Sequence, residues 1–168
     1  MPNNISCKEQ YKRCRLCPRN CSADRSRYTG YCGQSDKIKI ARAGLHMWEE
    51  PCLCGKGGSG AIFFSGCSLK CCFCQNYEIS HENKGFNITE RELADIFLKL
   101  QDDGACNIDL VSPTQFVPGI ISSLNLVKDK LNIPVVYNCG GYESLETLDM
   151  LDGYVAVSYT HLTLPTNS

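Results

Sequence analysis

Residues Cys67-Ser68-Leu69-Lys70-Cys71-Cys72-Phe73-Cys74 restrict what this chain can become more than any other stretch. The thiols of Cys67, Cys71 and Cys74 follow the spacing C-x3-C-x2-C. They come directly after an apolar run, Ala61-Ile62-Phe63-Phe64-Ser65, and a single glycine, Gly66. A buried strand that ends in a tight turn carrying three thiols sets those thiols at the rim of a core. Three thiolates suit a metal or iron–sulfur site with one position left open, and an open position is where chemistry takes place.

The cysteine count sharpens this reading. Thirteen cysteines in 168 residues would suit a disulfide framework in a secreted protein. The start, Met1-Pro2-Asn3-Asn4-Ile5-Ser6-Cys7-Lys8, has no apolar core of signal-peptide length, and no run reaches the ~18 apolar residues of a membrane span. The expectation is a soluble, cytoplasmic protein whose thiols stay reduced. An odd count in tight clusters then favours ligation. Cys106, and with it Cys72 and Cys139, read as small apolar fillers. The net charge of -1 gives no bulk reason to expect nucleic acid or an anionic membrane.

A second cluster lies near the start. Cys14-x2-Cys17-Pro18-x2-Cys21 is followed by Cys32-Gly33, with Cys7 upstream. A C-x2-C pair beside proline makes a turn that aims both sulfurs at one point. Two further thiols can complete a tetrahedral site for zinc or an iron–sulfur cluster. Cys14, Cys17, Cys21 and Cys32 are therefore a candidate second metal site, against the plainer alternative of reduced thiols in a loop-rich lid. The segment is basic (Lys8, Lys12, Arg13, Arg15, Arg19, Arg25 and Arg27 against Glu9 and Asp24), which suits a solvated face, a dock for an acidic partner, or a nucleic-acid-binding knuckle.

Residues 34–60 read as a connector with a short alternating strand at Lys37–Ala43. Its glycine stretch, Gly55-Lys56-Gly57-Gly58-Ser59-Gly60, is not a phosphate loop, because it precedes a strand rather than following one. From Ala61 the pattern alternates strand and helix. Thr89-Glu90-Arg91-Glu92 is a capping box, and Leu93, Ile96, Phe97 and Leu100 form one apolar stripe. Asn107–Val111 is a second strand. Ile120, Leu124, Val127 and Leu131 line a second helix, and Pro134–Asn138 is a third strand. Ser144 caps a short helix through Leu145, Leu148 and Leu151, and Gly153-Tyr154-Val155 begins a fourth strand. Such alternation predicts parallel strands joined by crossovers, an α/β fold with its site at the C-terminal strand ends. Cys67, Cys71 and Cys74, then Ser112, Thr114 and Gln115, then Asn138 should all face one crevice.

The string Phe64-Ser65-Gly66-Cys67-Ser68-Leu69-Lys70-Cys71-Cys72-Phe73-Cys74-Gln75-Asn76 resembles the signature of the radical S-adenosylmethionine (radical SAM) superfamily, and within it the pyruvate formate-lyase activating enzyme-like proteins. The N-terminal cysteine pattern and the Glu50-Pro51-Cys52 stretch are similar to that family as well, while Cys54 departs from it. The resemblance implies a partial (βα) barrel and a [4Fe-4S] cluster on Cys67, Cys71 and Cys74. It implies SAM on the open iron, with Phe73 near the adenine. It further implies an oxidoreductase that cleaves SAM to a 5′-deoxyadenosyl radical for hydrogen abstraction. The electron would come from a flavodoxin or ferredoxin, and the substrate could be a glycyl-radical enzyme. Many activases carry a Gly-Gly-Glu type motif after the second strand, where this chain has Ser112-Pro113-Thr114-Gln115-Phe116. Thr114, Gln115 and Asn138 are the candidate cofactor contacts there.

The expected organisation is a cysteine-rich segment at 1–33, a connector at 34–60 and a truncated core at 61–155. The tail at 156–168 resembles a translated sequencing adapter, so His161 is not read as a catalytic base. The alternative to an enzyme is a non-catalytic protein that holds iron–sulfur or zinc, either an electron carrier or a nucleic-acid-binding knuckle.

Overall fold

A computed structural model describes residues 9–160. Cys7 and His161, which the sequence singled out, lie outside the described residues. The elements run α1 Glu9–Lys12, β1 Ile38–His46, α2 Pro51–Cys54, β2 Ser59–Phe64, α3 Tyr77–Ser80, β3 Phe86–Ile88, α4 Glu90–Asp102, β4 Ile108–Val111, α5 Val117–Val127, β5 Val135–Asn138, α6 Leu145–Leu151 and β6 Val157–Tyr159. A 3-10 turn at Thr114–Phe116 leads into α5. Among the described residues no helix is long and apolar enough to cross a membrane.

The six strands form one sheet in the order β3-β1-β2-β4-β5-β6. β2, β4, β5 and β6 pair in parallel, and β1 runs antiparallel to β2 and β3. The register aligns Phe63 with Val111, Val111 with Asn138, and Asn138 with Tyr159, so the parallel strands end level with one another. Side chains alternate across a strand. Ile62, Phe64, Ile108 and Leu110 turn to one face and pack with Leu93 and Phe97 of α4 and Ile120 and Leu124 of α5. Each such side chain contributes about 1.5–3 kcal/mol on leaving water. The opposite face receives Phe63, Asp109, Val111 and Asn138.

Local chemistry starts the helices where the sequence predicts. Thr89 accepts from the Glu92 amide while Glu92 receives the Thr89 amide, and Ser144 accepts from the Thr147 amide. Two expectations are corrected. The short strand expected at Lys37–Ala43 is longer and is part of the core rather than of a connector: β1 has nine residues and pairs with both β2 and β3, and Ile38 and Ile40 are buried in the main core. The fourth parallel strand starts at Val157 rather than Gly153. Gly153, at φ +78°, and the bond from the Tyr154 amide to the Leu151 carbonyl make a turn first. Strand pairing runs through backbone groups, so β6 describes the edge of β5 and not the origin of the tail. Leu131 lies in the turn past α5 and still packs against the core.

Candidate metal centre

β2 delivers the chain to the cysteine loop at the level edge of the sheet. Gly66 turns it at φ +77°, where a methyl group would sit 2.5 Å from the Cys32 carbonyl oxygen and 2.6 Å from Nε2 of Gln34. Its amide donates to the Ile79 carbonyl at 2.9 Å, which closes the loop over α3. Lys70 makes a second left-handed turn at φ +51°. The Cys74 amide then donates to the Cys71 carbonyl at 3.1 Å. Cys67, Cys71 and Cys74 are half-buried, whereas Cys72 between them is exposed. The filler reading of Cys72 is thus corrected, because an exposed thiol fills no core; Cys139 is buried as expected.

The three inward thiols lie close enough to feel one another. Burial raises the Cys71 thiol above the ordinary range, and the neighbouring Cys67 and Cys74 raise it further. Ser80 of α3 donates its hydroxyl to the Cys74 sulfur at 3.3 Å. Among the described residues, no three His, Cys, Asp or Glu side chains surround a single point as one metal ion requires. A four-iron cluster places each thiolate on a different iron. The donor set, three thiols and one position without a protein ligand, fits that group.

The other candidate contacts differ in how they relate to this loop. Gln115 is buried, and its amide nitrogen donates to the carbonyls of Ser65 at 2.9 Å, Gly66 at 3.0 Å and Ser112 at 2.8 Å. Thr114 is also buried; its hydroxyl donates to Glu143 at 2.8 Å and receives Tyr137 at 3.2 Å. These bonds make Gln115 a brace of the loop's first residues and tie Thr114 to Glu143 and Tyr137. Asn138 is half-buried and donates to the Tyr159 hydroxyl at 2.8 Å. Phe73 is 66% exposed.

Two features escaped sequence reasoning. Asp109 on β4 is fully buried, and neither carboxylate oxygen has a hydrogen-bond partner among the described residues. Burial, aided by the charge of Glu49, pushes its carboxyl up to about 7, with Asn138 and Tyr159 countering weakly. Tyr159 in turn donates to Glu49 at 2.5 Å. A charged residue inside the apolar run Ile108-Asp109-Leu110-Val111 was the available signal. The second feature is Arg25, counted with an exposed basic face yet only 1% exposed.

Arg25 sits among the N-terminal cysteines. Cys14 and Cys32 are buried, Cys17 half-buried and Cys21 exposed. Burial raises the Cys17 thiol, with Cys14 and Cys21 adding to it, and burial raises Cys32. For Cys21 the cost of burial is outweighed by the amides of Tyr31 and Ala23 and the charge of Arg25, so that thiol is lowered.

Comparison with known proteins bears on the central loop. The family model described as a 4Fe-4S single cluster domain matches residues 53–153, more than half of the chain and all of the Cys67–Cys74 loop. An uncharacterized protein of Methanocaldococcus jannaschii is 33% identical over 162 residues, which cover 91% of this chain and 46% of that protein. The chain thus spans about half the length of this curated relative. No solved structure matches the chain.

Proposed function

This chain belongs to the 4Fe-4S single cluster domain family, and from that premise we propose that it is a radical SAM oxidoreductase similar to the glycyl-radical activases. The observation that carries the reading is the division within the loop that follows β2: Cys67, Cys71 and Cys74 are half-buried while Cys72 is exposed. Three irons would be held by Cys67, Cys71 and Cys74, leaving the fourth for the amino and carboxylate groups of SAM. Held there, such a cluster would supply, once reduced by a donor, the one electron needed for reductive cleavage of SAM to methionine and the 5′-deoxyadenosyl group that abstracts hydrogen.

The protein's own part is to hold and orient. Phe73, exposed beside the third ligand, offers a flat apolar surface to the adenine. Gln115 fixes the backbone of Ser65 and Gly66 and so sets where Cys67 begins. Asn138, at the same level on β5, offers an amide to the cofactor or substrate, and Thr114 offers a hydroxyl. A flavodoxin or ferredoxin is the proposed electron donor.

The test is anaerobic reconstitution with iron and sulfide, reduction, and electron paramagnetic resonance with and without SAM. A four-iron signal that shifts on adding SAM, and that is lost in Cys67→Ala, Cys71→Ala or Cys74→Ala, is the expected result. A four-iron signal indifferent to SAM would overturn the enzyme reading in favour of an electron carrier.

A further inference from the structure

The family match begins at residue 53 and leaves the N-terminal cysteines unassigned. There the chain makes a tight knuckle. The Cys14 amide donates to the Ala23 carbonyl at 3.1 Å and the Ser22 amide returns to the Cys14 carbonyl at 3.0 Å, while the Asn20 amide donates to the Cys17 carbonyl at 3.0 Å. Asn20 and Ser22 both take left-handed turns, at φ 43° and 51°. Cys14, Cys17, Cys21 and Cys32 line one small cavity of about 20 Å³, with Arg25 and Ser68 beside them. A methyl group added at Gly30 would lie 3.5 Å from the Cys21 sulfur and 3.6 Å from the Cys32 sulfur. Those two sulfurs therefore converge over a position that glycine leaves open.

Arg25 supplies an independent observation. It donates to the carbonyls of Gln34 at 3.1 Å, Ser35 at 2.5 Å and Gln115 at 2.6 Å, and its ion lies over the ring of Tyr11 at 4.6 Å. It also contacts the Cys14 sulfur at 3.7 Å. Among the described residues no carboxylate lies within ion-pair distance of it. A buried guanidinium without an anion is costly unless one is provided. Among the described residues that line this pocket, the most readily ionised acids are the thiols.

We propose that Cys14, Cys17, Cys21 and Cys32 bind one zinc ion as a closed tetrathiolate, that Arg25 offsets its charge, and that the ion braces the loop carrying Cys67. Four thiols release four protons to solvent, and four thiolates with one divalent ion carry a net charge of minus two, which the guanidinium halves. Four thiols around one pocket make a closed donor set with no position left open, which is the set a structural zinc ion takes. Because the thiols do not yet surround one point, the site closes on binding, as metal-coupled folding does. Cys17 and Cys21, on the more open turn, move inward. The brace to the central loop is already built. Arg19 donates to the Ser68 carbonyl at 3.0 Å, and Arg25 holds the Gln115 carbonyl whose side chain fixes Ser65 and Gly66.

The test uses the full chain with cobalt(II) as a visible stand-in for zinc, and no SAM. In a Cys67→Ala/Cys71→Ala/Cys74→Ala variant, one equivalent of cobalt should give the intense absorption of a tetrahedral tetrathiolate, and zinc should displace it. Cys21→Ser, at an exposed position where folding is not at stake, should abolish that four-sulfur spectrum, as should Cys14→Ser. Arg25→Met should weaken zinc binding by roughly tenfold or more, the scale seen when a partner of a metal's ligands is removed. An unchanged spectrum in Cys21→Ser, or loss of cobalt binding in the triple variant, overturns the proposal. So does uptake of four irons and sulfide in place of zinc by the triple variant. None of these readouts depends on SAM, so the proposal stands or falls separately from the enzyme reading.

Discussion

The guanidinium of Arg25 donates to the main-chain carbonyl of Gln115 at 2.6 Å, across 90 positions of sequence. The side chain of the same Gln115 holds the carbonyls of Ser65 and Gly66. One residue after β4 thus couples the N-terminal knuckle to the start of the cysteine loop, and this coupling orders the predictions.

Gln115→Leu keeps the volume roughly constant but leaves the carbonyls of Ser65, Gly66 and Ser112 without their donor. The expected loss is about 1–3 kcal/mol of stability, with less iron retained after reconstitution. Gln115→Glu sets a carboxylate against those carbonyls and should lose more. Urea melts combined with iron and sulfide analysis check both; full iron loading in the two variants would show that Gln115 does not position the loop.

Gly66→Ala combines a left-handed residue with a close approach to the Cys32 carbonyl. The left-handed backbone alone disfavours alanine by roughly 1–2 kcal/mol, and the crowding adds to it. We expect a lower melting temperature and little or no cluster, read from visible absorption. Gly104→Ala is the control for backbone freedom, since Gly104 is also left-handed but a methyl group there meets nothing within 4 Å.

Asp109 makes stability depend on pH. Its carboxyl is raised from the ordinary value of 3.8 to about 7 in the fold, so the folded chain keeps a proton that the unfolded chain has lost. Its contribution is fully present below about pH 4, falls as pH rises, and levels off above the folded value. Asp109→Asn removes the titration. The variant should be more stable than the parent above neutral pH, by on the order of 2–4 kcal/mol, and the two should converge in acid. Urea melts across that range decide it; parallel curves for the two proteins would remove Asp109 as the cause.

Thr89→Ala separates stability from the site. The Thr89–Glu92 capping box holds the start of α4, away from the cysteines. About 1 kcal/mol should be lost, with the paramagnetic signal of the cluster unchanged.

Features that depend on neighbours in sequence were the legible ones. The cap at Thr89 and the stripe after it placed α4, and the apolar run before Cys67 placed β2 and its loop. The parallel direction of β2, β4 and β5 followed from the alternation of strand and helix, while the register that levels their ends did not. What was missed depends on packing. β1 alternates only through its first half, since Arg42 to Leu45 are all exposed, so the sequence showed a short strand ending at Ala43 rather than one running on to His46. The helices α2 and α3 and the strand β3 are too short to show a period. Arg25 has the same letter as its exposed neighbours, and only the closing of Tyr11, Gln34 and Gln115 around it creates its burial. Asp109 and Glu49 lie far apart along the chain, so their shared charge appears only once β4 sits in the sheet.

The bonds that seat the knuckle also fix when it can form. Arg25 to Gln115, Tyr11 to Gly119 and Leu16 to Thr147 span 90, 108 and 131 residues. Contacts of such separation form slowly, after local ones. A chain emerging from the ribosome exposes its N-terminal residues first, long before α5 and α6 exist to receive them. The stretch synthesised first is therefore seated last, and its four thiols stay open to solution throughout that interval.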